Sequence, residues 1–163
     1  MAFKMTERLV GNQAIATNSS TAQHPLGAIF QAHDPDYFSG EFIYLKGVAD
    51  TAVGSWVTYN LDDCSTALLA ANAIGPVGVA MAATVANEYG WYHIQGKAVG
   101  KALSGYADNG LVYATSTAGS IDDAVVSGDR VKNAKGASAV GTPSSGLAEF
   151  EITRPFMDDG SAA

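Results

Sequence analysis

Glu41-Phe42-Ile43-Tyr44-Leu45-Lys46-Gly47-Val48 is the stretch that decides how the rest of the chain is read. In an extended backbone Phe42, Tyr44 and Val48 fall on one side and Ile43 and Leu45 on the other, a period of two. Aromatic and β-branched residues in that pattern fit a pleated, half-buried surface better than a helix. Asp50-Thr51 then supplies a polar turn, Trp56-Val57-Thr58-Tyr59 a returning strand and Asn60-Leu61-Asp62-Asp63 a closing loop. The pattern predicts a β-hairpin over residues 41–60.

Toward the C-terminus the same signals recur. Ser65 to Ala73 holds good helix formers behind a Ser65 N-cap, but so short a helix is marginal alone, and either a turn or two of helix or an irregular edge is expected. After Gly75-Pro76, the residues Val77, Val79 and Met81 alternate with Gly78, Ala80 and Ala82, a strand with one face of very small side chains. The turn Ala86-Asn87-Glu88-Tyr89-Gly90 leads to Trp91-Tyr92-His93-Ile94-Gln95-Gly96, a second predicted hairpin. Asp108-Asn109-Gly110 introduces Leu111-Val112-Tyr113-Ala114, Gly119 and Gly128-Asp129 punctuate two more segments, and Gly146 opens Leu147-Ala148-Glu149-Phe150-Glu151-Ile152. No segment carries the long amphipathic helix of a parallel βαβ unit. The fold expected is mainly β, an antiparallel β-sandwich or jelly-roll-like barrel over residues 41–163.

Residues 1–40 show no sustained period and read as an extended N-terminal arm. Phe3, Leu9, Val10, Ile15, Ile29 and Phe30 are too many apolar residues for a free tail, so the arm is expected to lie against a surface.

The 163 residues suit one domain. Charged residues make up only 15%, against roughly 25% in ordinary soluble chains, a deficit that points to assembly. Nine basic against 16 acidic residues give a net charge of −7, which repels phosphate backbones and argues against nucleic acid as a partner. The single cysteine, Cys64, excludes an internal disulfide. No apolar stretch is long enough to span a membrane and no secretory core stands at the N-terminus, so a soluble, unexported chain is expected.

Chemistry-bearing residues are sparse. His33-Asp34-Pro35-Asp36 is the densest cluster, but Pro35 splits the aspartates and no second cluster completes a metal site, which favours a plain Asp-Pro turn. His93 lies in an aromatic strand and reads as a structural or interface histidine, and His24 has no partner motif. Asp62 and Asp63 beside Cys64 disfavour its thiolate. The adjacent pairs Asp62-Asp63, Asp122-Asp123 and Asp158-Asp159 point to opposite faces if extended and suit solvated turns. Gly96-Lys97 and Gly100-Lys101 lack phosphate-loop spacing. No catalytic residue, cofactor or metal ligand is assigned, and no enzyme is expected. Trp56, Tyr59, Tyr89, Trp91, Tyr92, Tyr106 and Tyr113 remain, either as core or as contact surface.

One resemblance adds to this. His24-Pro25-Leu26-Gly27, Gly40 through Val48, Gly54-Ser55-Trp56-Val57, Gly78-Val79-Ala80 and Tyr89 through Gly96 together make the chain, from about residue 20 to 156, resemble the head decoration, or capsid cement, proteins of tailed bacteriophages. The resemblance implies a β-rich structural virion protein that oligomerises on the outer capsid surface, after assembly in the host cytoplasm, and bridges neighbouring major capsid protein subunits. A homotrimer is favoured over a dimer, since closed symmetric arrangements suit an icosahedral shell. Candidate interface residues are Phe3, Leu9, Ile15, Leu26, Phe30, Trp56, Trp91 and Tyr92. The alternative weighed is a glycan-binding β module of a phage tail or head appendage, with Trp56, Trp91 or Tyr92 on an exposed flat face.

Overall fold

The computed structural model describes residues 4–5 and 13–158, and all regular structure in them is β. The strands are β1 (Lys4–Met5), β2 (Asn18–Ser19), β3 (Ile29–Asp34), β4 (Phe38–Lys46), β5 (Trp56–Tyr59) and β6 (Thr66–Leu68). They continue as β7 (Ile74–Ala80), β8 (Tyr89–Lys101), β9 (Leu111–Ala114), β10 (Ile121–Asp122), β11 (Arg130–Gly136) and β12 (Leu147–Asp158). Every strand pairing is antiparallel, as a mainly β antiparallel fold requires.

Strand β8 is the spine. Along one edge it pairs with β4, and along the other with β2, β7 and β12 in succession. At Gln95 both edges are taken, by Glu41 of β4 and Thr153 of β12. Just beyond, β12 leaves β8 and pairs with the first half of β7, Phe156 opposite Pro76 and Asp158 opposite Ile74. Arg154, at φ 46°, lies where β12 makes that departure. Gly96, opposite Ile152, has φ 117°, and a Cβ there would stand 2.7 Å from the Ser39 carbonyl oxygen, so the fork tolerates only glycine.

The fork separates a barrel from a wing. From β12 the sheet continues through β11 and β9 to β10, and a bridge between Ile121 and Ala102 returns it to the end of β8. This ring encloses the main core, which includes Trp56, Val79, Tyr106, Val131, Phe150, Ile152 and Met157. Phe150 meets Trp56 edge-on at 5.0 Å and Tyr106 at 5.4 Å. The wing is β3, β4 and the first half of β8. One face, with Phe42, Tyr44 and Trp91, is covered by Ile15 from the N-terminal segment. The other, with Ile43, Leu45, Tyr92 and Ile94, is covered by Val57, Tyr59 and Leu68 of the β5–β6 hairpin. The period-two pattern of Phe42 to Leu45 therefore feeds two separate cores.

Two expectations need correcting, and one left open between alternatives is decided. Strands form at both ends of residues 41–60 but not as a hairpin: β4 pairs with β3 and β8, and β5 with β6 and β7. The connection is drawn away by Gly47 N–H donating to Glu88 O, Thr84 N–H to Thr51 O and Gly54 N–H to Ala80 O, which carries β5 to the far side of β7. Of the two alternatives for residues 65–73 the irregular edge forms, the short strand β6 followed by turns, without helix. Asp63 accepts from the Ser65 backbone and hydroxyl, Leu69 N–H donates to Trp56 O, and this ladder outweighs the weak propensity of so short a segment. The boundary of the arm at residue 40 also moves: residues 13–40 belong to the domain, because β2 pairs with β8, β3 with β4, and Ile15 is buried. The second hairpin forms as expected, Val79 opposite His93 and Ala80 opposite Tyr92.

Candidate interaction surface

The expected interface residues separate into three groups. Phe3 and Leu9 lie outside the described residues. Leu26 is exposed, and Phe30 is half-buried, standing edge-on to Trp91 at 5.2 Å. Ile15, Trp56, Trp91 and Tyr92 are buried inside the monomer and present no contact surface, which corrects their assignment. The reason is coverage: the N-terminal segment lies over Trp91, the β5–β6 hairpin over Tyr92, and the barrel closes around Trp56. The same burial takes Trp56, Trp91 and Tyr92 off the exposed flat face on which the glycan-binding alternative placed them.

Large apolar side chains are instead held outward on loops and near the ends of strands. At the tip of the β3–β4 hairpin the buried Asp34 carboxylate accepts the backbone N–H groups of Asp36 at 2.8 Å and Tyr37 at 3.1 Å, an Asx-type turn. Lys97, paired with Glu149 at 2.8 Å, stands 5.1 Å from the Tyr37 ring centre. In this braced tip Phe38 adopts φ 59°, a conformation unfavourable for a bulky side chain, and is 65% exposed. A second exposed region is a groove of about 360 Å³ between the β5–β6 hairpin and the start of β7, lined by Tyr59, Leu61, Ile74 and Pro76 among others. Leu61 and Ile74 are each nearly 70% exposed, at 68% and 69%. Phe156 stands opposite Pro76 on the neighbouring strand. Beside it, Asn72 N–H donates to Asp129 Oδ1 at 2.7 Å and ties the loop leading into Ile74 to the loop carrying the exposed Val125 and Val126.

The charged residues are organised differently. Glu41–Arg154, Lys97–Glu149, Lys135–Glu151 and Lys132–Asp158 form ion pairs across neighbouring strands β4, β8, β12 and β11. Lys132–Asp158 and Lys135–Glu151 are exposed on both sides, and pairs of this kind contribute little stability.

The chemistry-bearing residues serve local structure. His33 Nδ1 lies 3.4 Å from Ser39 Oγ at the hairpin, and the His33-Asp34-Pro35-Asp36 cluster is a turn. Asp63 caps Ser65, and these hydrogen bonds hold its carboxyl below the usual range. Asp123 accepts from Ala107 N–H at 2.9 Å. Burial first, then the charge of Asp123, raises the Tyr106 phenol, whose hydroxyl donates to Gly110 O at 2.9 Å. Among the described residues no three His, Cys, Asp or Glu side chains gather as metal ligands.

Sequence reasoning missed Phe38, Leu61, Ile74, Val125, Val126 and Phe156. A usable signal was present for some of them: a large apolar residue inside a turn signature, as in Asp34-Pro35-Asp36-Tyr37-Phe38, Asn60-Leu61-Asp62-Asp63 and Val125-Val126-Ser127-Gly128. Turn chemistry by itself gives no reason for large apolar side chains at these positions. Neither a known family model, nor a characterised protein, nor a solved structure matches the chain.

Proposed function

We propose that this protein is a non-catalytic structural protein of a phage virion, attached to the outer capsid surface and stabilising the shell by bridging neighbouring major capsid protein subunits. The observation that carries this reading is the set of large apolar side chains held outward on loops and strand ends, Phe38 at the start of β4 above all. Exposed apolar residues on a fixed scaffold are what a docking protein needs, because they lose little conformational entropy when a partner covers them. The low charge, the net charge of −7 and the resemblance to capsid cement proteins support the same reading. Binding to a composite site spanning two subunits stabilises the shell by mass action, since the site exists only while those subunits stay together. Self-association as a trimer, with a dimer as the second choice, belongs to this proposal.

The test is attachment to expanded capsids with Phe38→Ser and with Val125→Ser/Val126→Ser, followed by cryo-electron microscopy of the decorated shell. Weakened attachment at unchanged monomer stability, with density for the protein on the outer surface, supports the proposal. Density confined to the tail or the capsid lumen refutes it.

A further inference from the structure

Residues 13–24 form a strap whose two ends touch. The backbone N–H of Gln13 donates to Nε2 of His24 at 3.1 Å, closing a surface loop of the Ω type. Gln13 is otherwise tied to the wing. Its carbonyl accepts from the Trp91 indole at 3.1 Å, its side-chain oxygen from the Tyr44 hydroxyl at 2.6 Å, and its side-chain amide donates to Thr17 O and Tyr89 O. The Tyr44 hydroxyl in turn accepts from Gln23 N–H at 3.1 Å. Every polar group of this buried glutamine is thus engaged, and His24 is the only titratable imidazole in the ring of bonds.

The chemistry of the closing bond is one-directional. A backbone N–H can only donate, so Nε2 must carry a lone pair, and the tautomer is the one protonated on Nδ1. A second proton turns the acceptor into a donor and sets two N–H groups against each other. His24 lies among Phe30 of β3, Tyr44 of β4 and Trp91 of β8, with ring centres at 5.8, 5.1 and 5.1 Å. Tyr89 stacks behind Tyr44. Among the described residues none of these neighbours supplies a negative charge to hold an imidazolium. The nearest carboxylate on the strap's bonds, Glu88, is engaged by Asn18 and Val85 N–H at the other end. Desolvation accordingly lowers the imidazole below its ordinary range.

We propose that His24 is an acid-sensitive latch, which holds the strap over the aromatic face of the wing while neutral and releases it on protonation. Release uncovers Phe30, Tyr44 and Trp91 without breaking the β4–β8 ladder. The sign follows from linkage: with the closed-state imidazole below 6.5, the latch is fully effective above pH 6.5 and weakens as pH falls through the range beneath it. In that window the open population rises by up to about tenfold per pH unit.

Hydrogen exchange of the Gln13 amide and the Trp91 indole N–H from pH 7.5 to 5, corrected for intrinsic exchange, reads the latch directly. Amides of Val131 and Phe150 in the barrel report global opening. In the wild type, protection at Gln13 and Trp91 falls below pH 6.5 with a slope in excess of that of the barrel amides by up to about tenfold per unit. His24→Gln, whose side-chain oxygen accepts at any pH, abolishes that slope. Equal excess slopes in wild type and H24Q, or losses at Gln13 and Trp91 no steeper than those of the barrel amides, overturn the proposal. Should H24Q fail to fold, nitrogen shifts of the His24 ring in the wild type decide instead: titration out of step with the loss of Gln13 protection overturns it. The outcome is independent of attachment to a capsid.

Discussion

Acidification should destabilise the whole fold through one residue, His93. The ring is completely buried, stacks on Phe42 at 4.4 Å and donates through Nε2 to Gln95 O at 2.8 Å, since a carbonyl only accepts. Gly40 and Gly96 close around it: a Cβ at either would lie 2.5 or 3.2 Å from Nε2. Burial pushes the imidazole down from 6.5 to about 4, with the bond to Gln95 acting weakly the other way. A histidine with a lowered folded pKa contributes stability that is fully present above pH 6.5 and lost as pH falls toward 4. The difference of roughly 2.5 pH units corresponds to about 3 kcal/mol, and about 2 kcal/mol of it is lost by pH 5. That is a large share of the roughly 5–15 kcal/mol total of an ordinary domain. Urea unfolding of wild type and His93→Gln at pH 7 and pH 5 isolates the contribution, because the carboxylates and the other histidines are common to both. The gap between them should narrow by about 2 kcal/mol on acidification. Parallel profiles, or a His93 ring that titrates near 6.5 by NMR, would refute the reasoning.

Gly100→Ala places a methyl 2.5 Å from Nε1 of the buried Trp56, so it should cost about 1–3 kcal/mol by overpacking, read as a lower Tm. Gly96→Ala combines φ 117° with a 2.7 Å approach to backbone that cannot yield, and should cost more than Gly100→Ala in the same assay. Phe38→Gly should raise stability by about 0.5–1 kcal/mol, because glycine accepts φ 59° and the lost side chain is mostly in water; a clear loss would give Phe38 a structural role and weaken its assignment as a docking residue. Lys135→Ala should change stability by less than about 1 kcal/mol, since its pair with Glu151 is exposed, and raising the salt should erase even that.

The sequence by itself determined where the chain is extended. Alternation in Phe42 to Leu45, Val77 to Met81, Trp91 to Ile94 and Leu147 to Ile152 marks real strands, because period two is a local property of a chain with two different sides. The same local reading identified the Asp-Pro turn and the turn at Asp108-Asn109-Gly110. It did not show which strands pair. Residues 41–60 look like a hairpin, yet β4 and β5 are held apart because Gly47 and Gly54 N–H donate to the Glu88 and Ala80 carbonyls and the Thr51 carbonyl accepts from Thr84 N–H, partners too far along the chain for any window to contain. Nor did it show which aromatic faces are covered. Trp56, Trp91 and Tyr92 carry the same composition signal as contact residues, and only the barrel closure, the strap and the β5–β6 hairpin make them core. Gln13, an unremarkable residue in the sequence, becomes the hub of the strap because tertiary folding brings Tyr44, Tyr89 and Trp91 to it. Burial and pairing are sums over the whole chain, whereas alternation is written residue by residue, and that is why the strands were legible and their partners were not.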